Sequence, residues 1–207
     1  MRLVFAPPAT DDLIHVLRAW RFWLLAAIVG ALAGAAIYYA APPPYRARAT
    51  VNVDFHLDQA WPQNTDREQF YYLERETRKL EEIANSDAVL GAVAAQVPGL
   101  SLEQLRGRKL FLSQPGNGGW HFFADDGDPK HAAELASTWA EAFANQVLKQ
   151  VMAAPAGGLE AFITADVVQV DGLVAQRTLG MSLYLMAGAI GLLALAVLIV
   201  LFVHPAR

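Results

Sequence analysis

The sequence predicts an α+β domain carried between two transmembrane helices. Three observations lead there: a charge-free apolar stretch near each end, a strict polar–apolar alternation directly after the first, and a long amphipathic ridge further on. The apolar stretches are residues 22–41 and 181–203. A hydrocarbon core about 30 Å thick takes roughly 20 helical residues to cross, and each stretch meets that length. Two crossings return the chain to its starting side, so residues 1–21 and the tail 204–207 are expected in one compartment and residues 42–180 in the other.

Of the 207 residues, 55% are apolar, a fraction inflated by the two spans, and the remainder is enough for one domain with a modest core. Cysteine is absent, which excludes disulfides, thiolate metal sites and a cysteine nucleophile. Charge is more informative when divided. Arg2, Arg18 and Arg21 outweigh Asp11 and Asp12 before the first span, and only Arg207 follows the second. Of sixteen basic and twenty acidic side chains, twelve and eighteen therefore fall in residues 42–180, a net of −6. Arg18 and Arg21 abut the first span as a cytoplasmic flank does, whereas Arg46 and Arg48 lie just beyond it; both termini are read as cytoplasmic. A cleaved signal peptide is the competing reading, since Ala40 and Ala41 end the first stretch. Signal apolar regions run to only about 7–15 residues, and Trp20 and Trp23 suit interfacial anchors.

In chain order, Thr10, Asp11 and Asp12 offer helix-capping chemistry, and Leu13, Ile14, Val16 and Leu17 continue without a breaker into the span. Pro42, Pro43 and Pro44 end it by removing backbone donors. Tyr45, Ala47, Ala49, Val51, Val53 and Phe55 then alternate with Arg46, Arg48, Thr50, Asn52 and Asp54, the period of a half-buried strand. Polar sequence runs to about Asn64. Over residues 65–85, Phe70, Leu73, Thr77, Leu80 and Ile83/Ala84 recur at helical spacing with Glu and Arg between them. Ser86 or Asp87 can cap a further helix through Val97, stopped by Pro98-Gly99, and Ser101 with Gln104 forms a capping box.

Residues 109–112 and 120–123 read as two short strands around Gly116-Asn117-Gly118-Gly119, a hairpin signal. Asp128 caps a helix with Pro129 at its first position. Leu135, Trp139, Phe143, Val147 and Val151 form its ridge to about Met152, and Gly157-Gly158 breaks it. Leu135, Trp139 and Phe143 could serve a subunit interface, but a two-layer domain needs them under its sheet. Phe162, Ile163, Val167, Val168 and Val170 mark a last strand within 160–170. The order β-α-β-β-α-β is the ferredoxin-like arrangement, in which the first and last strands are antiparallel neighbours and would set the two spans side by side.

Chemistry is sparse. There is no phosphate-loop motif. His15, His56, His121, His131 and His204 are scattered without ligand spacing. Asp125-Asp126-Gly127-Asp128 lacks the later ligands of a calcium loop and reads as a turn with a helix cap. Glu74, Glu76, Glu81 and Glu82 alternate with Arg75, Arg78 and Lys79, a pattern of a solvated or subunit-facing surface; Glu74, Arg75, Arg78 and Lys79 are candidates for an oligomer interface. In the spans, Gly30 and Gly34, preceded by Ala26 and Ala27, make a small-residue face suited to close packing. Ala187, Gly188 and Gly191 do the same in the second span. No charged residue lies in either span, which argues against an ion or proton pathway. No cofactor, no metal, no enzyme activity and no nucleic-acid partner are expected. The alternative function is a two-span sensor or adaptor whose outer domain binds a ligand or partner protein.

The layout resembles the polysaccharide co-polymerase family, the Wzz-type chain-length determinants. The residues that carry the likeness are Trp20-Arg21 entering the span, Pro43-Pro44-Tyr45-Arg46-Ala47 leading into Thr50-Val51-Asn52-Val53-Asp54, and Asp128-Pro129 followed by Ala132, Ala133, Leu135, Ala136, Trp139, Ala140 and Phe143. Ser137 stands where the family often has asparagine. Two features depart from the family: the projecting helix is shortened to residues 129–152, and residues 171–180 contain no proline. The resemblance implies a bacterial cytoplasmic (inner) membrane protein with a periplasmic middle domain, in a short form without the kinase domain fused in some relatives. It also implies a homo-oligomeric ring that acts without catalysis, with a membrane polymerase and the growing glycan as its partners, on O-antigen or exopolysaccharide length.

Overall fold

The computed structural model describes residues 20–56, 66–113, 119–154, 163–169 and 172–203. The chain forms two compact units, one from its two ends (Met1–Pro43 with Leu179–Arg207) and one from Pro44–Thr178. The expected short helix before the first span lies outside the described residues. Helix α1 is described over Trp20–Ala40 and includes the two residues before the apolar stretch. Ala41 N still donates to Ile37 O at 2.9 Å, and the prolines that follow leave no donors to continue it.

In the middle unit, β1 (Tyr45–Asp54) keeps the alternation of its sequence: Ala47, Ala49, Val51 and Val53 are buried, and Arg46, Arg48, Asn52 and Asp54 are exposed. It stops one residue short of Phe55. The Asp54 carboxylate accepts from His56 N at 2.9 Å, and His56 adopts φ 43°, so the extended backbone ends there.

Helix α2, Asp66–Ala84, keeps the expected face in its second half, where Leu80, Ile83 and Ala84 are buried, and departs from it in the first. Phe70 is exposed and Thr77 only partly covered; the buried ridge is Tyr72, Glu76, Leu80 and Ile83. Both stripes have helical spacing. Tyr72 reaches Phe55 edge to face at 6.4 Å, and an aromatic anchor with a salt-bridged carboxylate displaces the Phe70 stripe. Helix α3, Asp87–Gln96, starts from Ser86, whose Oγ accepts from Val89 N, and Gly99 turns the chain beyond it at φ 86°. Ser101 and Gln104 exchange the two capping-box hydrogen bonds at 3.3 and 3.1 Å around the single turn α4, Leu102–Gln104. A π-helical turn, Leu105–Lys109, follows and buries Leu105 completely.

Strands β2 (Leu110–Ser113) and β3 (Gly119–Asp126) pair antiparallel. Helix α5, Pro129–Ala153, begins where the Asp128 carboxylate accepts from Lys130 N at 2.7 Å and His131 N at 3.2 Å. Strand β4, Thr164–Gln169, occupies the middle of the expected 160–170. A two-residue β5, Gln176–Arg177, has no counterpart in the sequence pattern.

All neighbours in the sheet run antiparallel, in the order β2-β3-β1-β4. Strand β4 takes Thr50–Asp54 of β1 and β5 takes Tyr45–Arg46. Because β3 already occupies the other side of β1 from Tyr45 to Asn52, β4 and β5 share one side. Helix α5 packs on β1, β3 and β4, and α3 packs against α5. Trp139 meets Phe122 edge to face at 4.8 Å, and Phe143 stacks on Trp120 at 5.6 Å. Trp139, Phe143 and Leu135 are all within the core of this unit. The Trp139 indole N–H donates to Ala84 O at 2.9 Å, tying α5 to the end of α2. The architecture is a mixed α+β unit on a five-stranded antiparallel sheet.

Candidate functional site

Within the terminal unit, α1 packs along α6, Met181–Val203; both are long and apolar enough to cross a membrane. Gly30 and Gly34 are buried in the pair. A Cβ on Gly30 would overlap the Gly188 carbonyl, one on Gly34 the Tyr184 carbonyl, and one on Gly188 the Gly30 carbonyl. Tyr38 meets Tyr184 edge to face at 5.4 Å. Gly188 thus lies at the crossing with Gly30 and Gly34, whereas Ala187 and Gly191 are exposed and Gly191 faces open space. The remaining surface is apolar: Leu32, Tyr39 and Ile190 are each more than 60% exposed. A helix apolar all round is at home in a protein core or in lipid.

In the middle unit, Glu74 and Arg78 pair with each other at 2.6 Å on the exposed side of α2. Arg75 and Lys79 turn instead to Glu76, at 2.9 and 3.1 Å. Glu76 is 1% exposed, beside a cavity of about 120 Å³ lined by Leu80, Ile83, Val147 and Ile163. A buried carboxylate with two cations has its charge answered within the fold. Sequence reasoning placed Glu76 among surface charges; its i+4 spacing from Tyr72 and Leu80 was the available signal.

The second face of the sheet carries polar and aromatic side chains. Arg46 lies opposite Asp125 across β1 and β3, and its Nε and Nη2 donate to Oδ1 and Oδ2 at 2.6 and 2.7 Å. The Phe111 ring lies 4.8 Å from the same guanidinium. The hydrogen bond from Arg46 to Asp125 raises the Arg46 pKa above its ordinary value; burial opposes this, and the carboxylate charge adds to it. Burial alone would push the neighbouring Asp126 upward, but hydrogen bonds from Lys109 Nζ, at 2.5 Å, and Asp128 N hold it below the ordinary carboxylate value, with the charges of Lys109 and His131 assisting. Every carboxylate of the acidic turn is thus engaged structurally, since Asp125 holds Arg46, Asp126 holds Lys109 and Asp128 caps α5. Beside Arg46, a groove of about 520 Å³ is lined by Arg48, Arg177, Phe123, Leu173 and Val174.

No family model matches the chain, and no curated protein does. Chemically, the described residues offer packing surfaces and cations. Among them, no three His, Cys, Asp or Glu side chains converge as metal ligands would. The helix pair fixes two chain segments in close contact, and the arginine face can hold an anion; neither arrangement pairs a nucleophile with a base.

Proposed function

We propose that the protein is a two-span membrane scaffold of the polysaccharide co-polymerase type, in which the middle unit assembles protomers into a ring and the helix pair engages a membrane polymerase. One observation carries this reading: β1, the strand that follows the first apolar helix, pairs antiparallel with β4 and β5, the strands that precede the second. The sheet order supports a ferredoxin-like middle domain, and the Pro-Pro-Tyr-Arg-Ala and Asp-Pro segments are the sequence features on which the resemblance to the family rests. The apolar, exposed surfaces of α1 and α6 favour lipid as their solvent.

The contribution of such a scaffold is geometry and multivalency rather than bond chemistry. Neighbouring protomers would meet through the charged side of α2, with Glu74 and Arg78 exposed there and Arg75 and Lys79 at its border. Lateral contact with the polymerase would run through helix surfaces left open by the pair, including Ala187 and Gly191. The expected location is the bacterial inner membrane, with both termini cytoplasmic and residues 42–180 periplasmic.

Deleting the gene and running the surface glycan on a gel tests the role: the length distribution should broaden or shift, and an unchanged ladder would overturn it. The mass of the detergent-purified particle separates the scaffold, expected as a large closed oligomer, from a ligand-binding sensor, expected as a monomer or dimer.

A further inference from the structure

The middle segment is acidic overall, at −6, yet one groove gathers Arg46, Arg48 and Arg177. It lies beside Arg46 and Arg48 of β1, on the side of that strand where β4 and β5 pair. Strand β4 pairs with β1 from Thr50 onward and β5 pairs with Tyr45 and Arg46, so among the described residues Ala47–Ala49 have no strand partner on that side. A register shift between Thr50 and Val51 marks where the pairing changes. The segment holding Leu173 and Val174 crosses there and forms, with Phe123, an apolar wall.

The cations are differently committed. Arg46 spends Nε and Nη2 on Asp125. Arg177 stacks over the Tyr45 ring at 4.5 Å, which fixes its plane. Arg48 is exposed and makes no ion pair or hydrogen bond among the described residues. Among the described residues Asp125 answers the charge of Arg46, and Arg48 adds an exposed positive charge that no described carboxylate neutralises. His121, further along the same face, has its pKa lowered by burial first and by the Arg48 charge second.

Guanidinium forks suit phosphate oxygens, and a volume of about 520 Å³ is that of a small-molecule site. We propose that this groove is an anion site for a phosphate group, with Arg48 as its principal free donor and Phe123, Leu173 and Val174 against the apolar part of the ligand. Arg46 follows Ala40 by six residues and Arg177 precedes Met181 by four, so chain reach of about 3.5 Å per residue tethers both to the ends of the two apolar helices. A lipid headgroup and a soluble phosphate ester offer the same chemistry. The lipid source rests on the two-span reading; the groove itself does not.

The test uses the full-length protein in neutral detergent. Retention of phosphatidylglycerol against phosphatidylcholine is read by native mass spectrometry, and binding of inorganic phosphate by calorimetry. Arg48→Ala and Arg48→Gln are compared with Arg78→Ala, an exposed arginine elsewhere, and melting curves establish that the variants fold. Removing one cation near a phosphate surface should weaken binding about fivefold, in the Arg48 variants only. Selective phosphatidylglycerol retention that depends on Arg48 assigns the lipid; Arg48-dependent phosphate binding without lipid selectivity assigns a soluble ester. Absence of both, or equal losses in Arg78→Ala, overturns the site. A normal glycan ladder alongside Arg48-dependent binding would overturn the scaffold role alone.

Discussion

Gly30 and Gly188 meet backbone to backbone: a Cβ on either would overlap the other's carbonyl oxygen. Small residues let apolar helices approach until dispersion and weak backbone contacts hold them. Gly30→Leu or Gly188→Leu should separate the helices, while Gly191→Leu, at a position with open space, should not. The absence of cysteine makes this measurable. In a Tyr38→Cys/Tyr184→Cys background, oxidative cross-linking read by mass spectrometry should fall several-fold with Gly30→Leu and stay unchanged with Gly191→Leu.

The Arg46–Asp125 pair is asymmetric, because the arginine side chain is 42% exposed and the aspartate 10%. Arg46→Ala leaves a largely buried carboxylate without its partner, whereas Asp125→Ala leaves a cation that water can reach. We expect Arg46→Ala to cost about 2 kcal/mol and Asp125→Ala about half that. Denaturant titration of both single variants and the double variant checks the order, and equal costs would count against it.

Trp139 fills the centre of the core and satisfies the Ala84 carbonyl. Trp139→Phe retains an aromatic ring but strands that carbonyl, for about 1–2 kcal/mol; Trp139→Ala adds a cavity and should cost about 3–5 kcal/mol. Thermal melts followed by near-ultraviolet circular dichroism separate the two.

Asp126 has a folded-state pKa below the ordinary 3.8. A depressed carboxylate contributes stability that is complete above its unfolded pKa and is lost as pH falls through the folded one. The wild-type protein should therefore lose stability on acidification from about pH 5 downward, and Asp126→Asn should flatten that part of the curve. Lys109→Met should flatten it too, through loss of the same hydrogen bond. Melting temperatures across the acid range provide the measurement.

The elements most legible in the sequence were those where local pattern and burial agree. The alternation of β1 survives because one face of the strand lies under α5, and Asp128-Pro129 starts α5 because cap and proline both suit that position. The Ser101–Gln104 box is local and therefore readable. What escaped depends on distant partners. Gln176–Arg177 is too short to show a period and is a strand only because Tyr45 and Arg46 lie alongside it. The π-helical turn at Leu105–Lys109 carries no residue signature. On α2, two stripes had equal spacing, and the choice fell to Tyr72 and Glu76 through contacts made by Phe55, Arg75 and Lys79. Of the small residues in α6, Gly188 lies at the crossing and Ala187 and Gly191 do not, because a helix shows a given neighbour one narrow face. The arginine groove was illegible for the same reason: its residues come from β1, β3 and the segment around β5.

The central strand is also the earliest strand to be made. Tyr45–Asp54 pairs with residues 119–126, then 164–169, and finally 176–177. Such long sequence separations slow folding, since large loops must close before any pairing rewards them. During synthesis, one side of β1 therefore stays unpaired until residues 164–177 have been delivered. A truncated product ending before residue 164 would present an open edge for its neighbours to aggregate upon.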